Sequence, residues 1–316
     1  MGAPDRVRMP IRTTNQGNPA NHGKGNRPGR SNEGGKMTTT ESLYDRIGVD
    51  IGRRAKLEDG IAWAARNAVR YIDIQLDYGE NAFTRFDDAR AASVRDACER
   101  HGIHLGLHTL SAVNVAEYSP ILSEAVDDYL KGYIDIFPKL GAHWIVVHAG
   151  YHFSADVKPR MEAGLERLKR MVGYAERKGA RLLLENLNKE PADAEVHYLA
   201  HTMEEWTYYY DRIDSPAFAL SFTANHAHLL PEGIPGFVDA IPWHRVKEVR
   251  LADCFRNGTE IHLPPGQGDL DFPDMFRRIE ATGFTGHYMN AFGTLEDMQA
   301  ARRTMAEGAS AAAMGD

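Results

Sequence analysis

Residues 144–186 read WIVVHAGYHFSADVKPRMEAGLERLKRMVGYAERKGARLLLEN, and this stretch decides the fold. It begins and ends with short apolar runs, at 144–148 and 181–186. Between them, residues 158–177 carry apolar side chains three and four positions apart, the spacing of a helix that buries one face. Gly179 marks the end of that helix. The stretch therefore predicts two parallel strands joined by a helical crossover.

The same alternation recurs along the chain from Leu43 onward. Strands are predicted at 46–50, 71–76, 104–108, 144–148, 181–186, 218–223, 246–251 and 286–290. Helices are predicted at 57–68, 86–101, 119–140, 158–177, 202–213, 236–241, 272–282 and 295–306. Such a series closes into an α/β barrel, the (β/α)8 or TIM fold. An open doubly wound sheet is the alternative, but no GxGxxG phosphate loop follows the first strand.

The domain organisation follows from length and local composition. A chain of 316 residues fits one barrel of roughly 250 residues with an extension. We predict a disordered tail at 1–40, because residues 1–36 are rich in Gly, Asn, Pro and Arg and poor in large apolar side chains. The barrel is placed at 41–307 as a single domain, and 308–316, rich in Ala and Gly, is predicted to be a flexible C-terminus.

Composition restricts the class of partner. The formal net charge of −7 argues against a nucleic-acid function, although the basic residues of 1–36 leave a nucleic-acid-binding arm as an alternative. No uninterrupted apolar stretch of about 18 residues is present, so we expect no membrane span. The two cysteines lie far apart, and no secretory signal is recognisable. The chain is therefore predicted to be cytoplasmic.

Polar side chains collect where the predicted strands end. In a barrel of this kind the carboxyl ends of the strands meet at one mouth, where active sites lie. Several imidazoles that converge there predict a site, whereas a single strand-end histidine is more often structural. The residues concerned are His108, His148, His152, Glu185, Asn186, Thr223, Asn225, His226, His228, Arg250, Asp253, His262 and Asn290.

Glu185 is the most informative of these residues. It directly follows three leucines, so a carboxylate stands at the end of an apolar strand. Burial there is expected to raise its pKa and to make it a general base. The alternative is an ion pair with Arg181, Lys189 or Arg250.

The strand ends resemble those of the xylose-isomerase-like family of sugar-phosphate isomerases and epimerases, which also includes inosose dehydratases and endonuclease-IV-type repair enzymes. The resemblance spans roughly residues 44–305. It rests on His108 and on the motifs VVHAG (146–150), LLEN (183–186), NHAH (225–228), VRLAD (249–253) and HLPPGQGD (262–269).

The resemblance implies a divalent metal, usually manganese or magnesium, held by Glu, Asp, His and Glu from strands five to eight. Glu185 matches the first position. Thr223, Arg250 and Asn290 stand at the other three ligand positions. If the alignment shifts by one residue, Ala291 stands at the last position instead of Asn290. Because hard divalent ions need several oxygen or imidazole ligands, we expect no metal cofactor, or Glu185 alone as a ligand.

The missing ligands suggest a mechanism in which Arg250 replaces the metal and stabilises an oxyanion. Glu185 would then abstract the proton α to a carbonyl, and His226 or His148 would complete the proton transfers. These four are the predicted catalytic residues. The predicted substrate-binding residues are His108, His152, Asn186, Thr223, Asn225, Asp253, His262 and Asn290.

The resemblance favours an isomerase or epimerase of a small keto-sugar or sugar derivative. A lyase or dehydratase acting on a keto-sugar or keto-inositol shares the same first step, and a non-catalytic sugar-binding barrel is the alternative outside enzymology. A repair endonuclease is disfavoured, because such relatives bind several zinc ions through a larger ligand set. The predicted partner is a sugar-like small molecule, and homo-oligomerisation is left open.

Overall fold

Parallel strands that close on themselves form the centre of the protein. The computed structural model describes residues 42–153, 155–256 and 258–314, with side chains up to residue 310. The strands are β1 (Ile47–Gly52), β2 (Tyr71–Ile74), β3 (His104–His108), β4 (Trp144–Val147), β5 (Tyr151–Phe153), β6 (Leu182–Glu185), β7 (Val196–Tyr198), β8 (Phe218–Thr223), β9 (Val246–Leu251) and β10 (His287–Asn290). All except β5 and β7 belong to a closed barrel in the order β1-β10-β9-β8-β6-β4-β3-β2. The predicted (β/α)8 barrel is confirmed.

Helices connect the barrel strands and cover their outer faces. They are α1 (Leu43–Arg46), α2 (Leu57–Arg66), α3 (Asp88–His101), α4 (Pro120–Leu140), α5 (Val157–Lys178), α6 (Met203–Tyr210), α7 (Ala224–His228), α8 (Gly233–Ala240), α9 (Phe272–Ala281) and α10 (Leu295–Met314). Gly141 and Gly179 end α4 and α5 in left-handed conformations, with φ of 64° and 68°. A side chain at either position would be strained, so glycine sets where these helices stop.

Besides α1 and shifts of a few residues at element ends, the structure departs from the predicted elements as follows. The short strands β5 and β7 pair antiparallel above the barrel, and three-residue strands carry too little periodicity to be recognised in a sequence. The short helix α7 starts directly after β8. The last helix continues to Met314, past the predicted end at Ala306, and Ala309 is buried. The predicted tail at 1–40 lies outside the described residues.

Strand register places the carboxyl ends of the barrel strands at one rim. Glu185 of β6 is level with Ser221 of β8, and Thr223 of β8 is level with Arg250 of β9. Residues that end neighbouring strands are thus brought into contact although they are far apart in sequence. In the part of the chain that the structure describes, no helix has the length and apolar character needed to cross a bilayer.

A buried arginine fastens α10 to the first strand. The side chain of Arg302 is fully buried, and its Nε donates to the carbonyl of Ile47 at 2.7 Å. Its Nη2 donates to the carbonyls of Tyr44 and Ala68, each at 3.1 Å. The Arg302 guanidinium therefore donates hydrogen bonds to backbone carbonyls before, within and after β1.

We expect Arg302→Met to lower the free energy of unfolding by about 2–4 kcal/mol, because several buried carbonyls lose their donor while the volume is kept. Arg303→Met is the matched control, since Arg303 is exposed. Chemical denaturation of both variants measures the difference. Equal stability of the two variants would show that the buried guanidinium contributes nothing.

Candidate active site

Three side chains from consecutive strand ends meet at the mouth of the barrel. Oε2 of Glu185 lies 3.1 Å from Nε2 of His148 and 3.4 Å from Nε2 of His108. The two imidazole nitrogens are themselves 3.2 Å apart. Glu185 and His148 are buried, and the side chain of His108 is 12% exposed. The three atoms form a nearly equilateral triangle, and we call this group the Glu185 triad.

The imidazoles of the triad are oriented by their other ring nitrogens. The hydroxyl of Thr109 donates to the carbonyl of Val146 at 3.0 Å and is left to accept from Nδ1 of His148, 3.3 Å away. Nδ1 of His108 faces Oδ2 of Asp73 at 3.6 Å. His148 therefore turns an unprotonated Nε2 toward the Glu185 carboxylate. Two acceptors at this separation are stable only with a proton or a cation between them.

A second group lies beside the first. Nε2 of His226 and Nε2 of His262 lie 3.8 Å and 2.5 Å from Oε1 of Glu260. Nδ1 of His226 donates to the carbonyl of Asn186 at 2.8 Å, and Nδ1 of His262 donates to that of Ala291. We call this group the Glu260 triad. The His226 ring stands between the two groups, with Nδ1 3.9 Å from Glu185 Oε1.

Each triad has its ligand atoms within 4.8 Å of one another, a geometry that suits a metal ion. Metal-binding histidines characteristically fix one ring nitrogen through a hydrogen bond and offer the other to the metal, as His148, His226 and His262 are arranged to do. The expectation of no metal, or of Glu185 alone as a ligand, is not tested by these contacts, which offer further candidate ligands beside Glu185. The sequence analysis compared the chain with one four-ligand pattern and did not consider other combinations of the same histidines.

Arg250 faces Glu185 as predicted, with Nε 4.0 Å from Oε1. Its other nitrogens meet acidic residues that the sequence analysis did not single out. Nη1 contacts Asp73 and lies 3.2 Å from Glu248, and Nη2 is 3.3 Å from Asp50. We call these five residues the Arg250 cluster. Four carboxyl groups surround one guanidinium, so its positive charge is already matched by the protein.

The expected rise in the pKa of Glu185 is wrong. Burial by itself would raise this pKa, but the hydrogen bond and positive charge of the His108 imidazolium, with the imidazole of His148 beside it, hold it well below its usual range. For His108, burial and Arg250 act to lower the pKa, whereas hydrogen bonds to Asp73 and Glu185 outweigh them and raise it to about 9. The carboxylate is therefore charged at neutral pH.

The pKa of Asp50 is shifted in the opposite direction to that of Glu185. Burial and the neighbouring charge of Asp73 raise its pKa to about 7, although Arg250 acts to lower it. The Arg250 cluster therefore carries more negative charge on its carboxylates than its one guanidinium neutralises. An excess of negative charge in a buried mouth favours a bound cation.

Three of the predicted substrate-binding residues form hydrogen bonds to other groups of the protein. The amide oxygen of Asn186 accepts from the backbone N–H of Thr223 at 2.7 Å, and its nitrogen donates to the carbonyl of the same residue at 3.1 Å. The Thr223 hydroxyl donates to Glu185. Asp253 accepts backbone N–H groups of Cys254, Gly266, Gly268 and Leu270 at 2.8–3.1 Å. Its oxygens shape the loop after β9, whereas the sequence analysis expected them to face a substrate.

Two other predicted residues retain unused polar atoms. Nδ2 of Asn225 and Oδ1 of Asn290 are buried and have no hydrogen-bond partner among the described residues. Both remain candidates to contact a ligand. His152 lies in β5, where its ring stacks on His197 at 5.6 Å, and no described contact joins it to either triad.

Sequence reasoning missed Asp50, Asp73, Glu248 and Glu260. A signal was available for Asp73, because an acid between Ile72 and Ile74 in a buried strand faces the barrel interior. Glu260 stands two residues before His262, and the sequence offered no signal that set it apart from other loop carboxylates. The loops after β6, β8 and β9 also enclose a cleft of about 630 Å³, lined by residues that include Lys189, Leu230 and Arg256, and this volume suits a small-molecule ligand.

A family model described as a xylose isomerase-like TIM barrel matches residues 61–307. A solved D-tagatose 3-epimerase-like protein is 19% identical with a TM-score of 0.73, covering 85% of this chain and 99% of its own. An L-ribulose 3-epimerase is 16% identical with a TM-score of 0.68, covering 85% and 96%. D-Psicose 3-epimerase from Clostridium cellulolyticum H10, solved with D-tagatose, is 16% identical with a TM-score of 0.64, covering 85% and 96%. At these identities the structural likeness establishes the fold.

We expect Asp253→Asn to destabilise the loop after β9. The amide nitrogen would confront backbone N–H groups that now meet a carboxylate oxygen, at a cost on the order of 3 kcal/mol. Limited proteolysis should cut within 254–270 faster than in the wild type. Asp239→Asn, at an exposed position, is the control. A proteolysis pattern unchanged by Asp253→Asn would contradict this role for the carboxylate.

Proposed function

This chain belongs to the xylose isomerase-like TIM barrel family, and from that premise we propose that it is a metal-assisted isomerase or epimerase of a small polyhydroxylated carbonyl compound. The observation that carries the proposal is the Glu185 triad, which places a charged carboxylate and two oriented imidazoles at the mouth of the barrel. The solved relatives named as sugar 3-epimerases support the choice of substrate class.

The residues at the mouth of the barrel offer two possible metal arrangements. The four-position set of the resemblance does not fit, because Thr223, Arg250 and Asn290 offer no suitable charged ligand there. The Glu185 triad does fit. Its sides of 3.1–3.4 Å agree with the separation of about 3.3 Å expected between ligands bound tetrahedrally at about 2.0–2.1 Å. His108, His148 and Glu185 would hold one ion; the Glu260 triad, in which Nε2 of His262 and Oε1 of Glu260 are hydrogen-bonded at 2.5 Å, would hold a second ion once that bond opens.

A divalent ion bound by these residues supplies a Lewis acid that polarises a substrate carbonyl. In this proposal Glu185 takes the proton next to that carbonyl, since it is the charged form of a carboxyl group that accepts a proton. Nδ1 of His226 is engaged by the carbonyl of Asn186, so Nε2, which faces Glu260, is the atom left to bind the second ion and does not carry the second proton transfer. Asn225 and Asn290 contribute the unused amide atoms that orient hydroxyl groups.

Arg250 as a replacement for the metal is the alternative source of positive charge. Its approach to Glu185 supports this hypothesis, but the three other carboxyl groups around it leave little charge for a substrate oxyanion. We therefore assign Arg250 to holding the carboxylates of the barrel interior in place.

Metal-assisted phosphoester hydrolysis is a second candidate, and the presence of two adjacent triads favours it. The sequence analysis disfavoured a repair endonuclease for lack of ligands, and that reason no longer holds for these two sites. The net charge of −7 still opposes nucleic acid as the substrate. A lyase acting on the same carbonyl compounds shares the proton abstraction and differs in its product.

We expect the purified protein to bind two divalent ions per chain. His148→Gln should remove one ion and His262→Gln the other, each by lowering the affinity at least about tenfold. His101→Gln, an exposed histidine at the end of α3, should leave both. Equilibrium dialysis followed by elemental analysis measures the stoichiometry. Loss of no ion, or of the same ion, in both variants would contradict the assignment of two triads.

We expect ketopentoses and ketohexoses incubated with the protein in D₂O to gain deuterium next to the carbonyl. Glu185→Gln should slow this exchange at least about 100-fold, because a proton-accepting carboxylate is lost. Glu296→Gln on the surface of α10 is the control. NMR of the products separates the reactions, since a lyase yields an unsaturated or cleaved product.

Exhaustive chelation should abolish the exchange, and Mn²⁺, Co²⁺ or Zn²⁺ should restore it. Exchange that survives chelation would favour Arg250 as the electrophile. Stabilisation by sugars without exchange or any new product would contradict catalysis and favour a sugar-binding barrel. Release of phosphate from a phosphoester panel in place of exchange would favour the hydrolase.

A further inference from the structure

The opposite end of the barrel, where the strands begin, carries a pocket of its own. It measures about 200 Å³ and is lined by Tyr71, His104, His143, Trp144, Arg181, Lys247, Thr285, Gly286 and His287. Most of these residues stand at or next to the first residue of a barrel strand. A neighbouring cavity of about 430 Å³ shares Arg181 and Lys247 with it and adds His244 and Arg245. We call the two cavities together the N-terminal pocket.

This pocket concentrates positive charge in an acidic protein. Arg181 and Lys247 have no ion-pair partner among the described residues, and Nζ of Lys247 donates to the carbonyl of His244 at 2.8 Å. Burial and then the charge of Arg181 lower the pKa of Lys247. Within the described lining, Asp214 is the acidic residue. Two cations on one wall without a carboxylate partner create a positive potential that attracts an anion, although Arg181 is exposed and Lys247 partly exposed to solvent.

Imidazoles and an indole add hydrogen-bonding atoms to the same pocket. Nδ1 of His104 and Nε2 of His143 are 3.3 Å apart. The pKa of His143 is lowered by burial and then by the charges of His104 and His287. Trp144 is 4% exposed, and its Nε1 has no hydrogen-bond partner among the described residues. Trp144 is thus a wall of the pocket whose indole N–H has no acceptor within the described residues, as is also true of Trp206 in the core.

We infer that the N-terminal pocket binds a tetrahedral oxyanion, the phosphate group of a small metabolite, through Arg181 and Lys247. Guanidinium and ammonium groups are the side chains that bind phosphate most often, and the volume admits a phosphate with a small attached group. This site lies at the end of the barrel away from both triads. It is independent of the reaction proposed above and assigns the protein a second ligand.

The test uses the full chain stripped of metal by EDTA, so that phosphate cannot act through the triads. Inorganic phosphate is titrated against chloride at constant ionic strength, and binding is followed by thermal denaturation and by tryptophan fluorescence. We expect a saturable rise in Tm with phosphate. We also expect a fluorescence change that is lost in Trp144→Phe.

Arg181→Gln and Lys247→Gln should each weaken phosphate binding about tenfold, the loss expected for one charge-assisted hydrogen bond. In chloride alone each variant should be at least as stable as the wild type, because a repulsion has been removed. Lys158→Gln, at an exposed position on α5, removes the same charge elsewhere and should leave binding unchanged. The inference is overturned if phosphate and chloride act alike on the wild type. It is also overturned if both pocket variants bind phosphate as tightly as Lys158→Gln does.

Discussion

The structure depends on one buried guanidinium that holds carboxylates from four strands. Arg250 of β9 meets Asp50 of β1, Asp73 of β2, Glu185 of β6 and Glu248 of β9 itself. Removing one partner from a buried charge pair costs about 3–5 kcal/mol, so these side chains constrain one another strongly. Through Asp73 the same cluster orients His108, and through Glu185 it orients the rest of the triad. The geometry of the mouth is therefore set by charge balance as much as by packing.

An apolar layer beneath the cluster keeps that charge in a dry environment. Trp144, Val146, Leu183, Ala219 and Met289 fill the lower barrel interior. Glu248 crosses this layer, because it contacts Arg250 on one side and accepts from Nε2 of His287, at 3.0 Å, on the other. One buried carboxylate thus belongs to the Arg250 cluster and also touches the lining of the N-terminal pocket. Interactions at such a place are stronger than in water, since little solvent screens them.

The sequence predicts more of the fold than of the chemistry. Alternation of apolar strands and amphipathic helices locates the barrel strands, and strand ends identify Glu185, His108 and His148 as neighbours. The direction of the Glu185 pKa shift was missed, because it depends on two imidazoles that arrive from other strands. Asp50 and Glu248 were missed because only the arrangement of β1 and β9 in the barrel brings these two side chains next to Arg250. The Glu260 triad was missed because the chain was compared with one pattern of ligands.

The central claim is that a divalent ion occupies the Glu185 triad, and anomalous X-ray diffraction from crystals grown with Co²⁺ or Zn²⁺ tests it most directly. We predict an anomalous peak about 2.0–2.2 Å from Nε2 of His108, Nε2 of His148 and a carboxylate oxygen of Glu185. Crystals in which the metal is bound elsewhere, while these three atoms keep their direct hydrogen bonds, would contradict the claim.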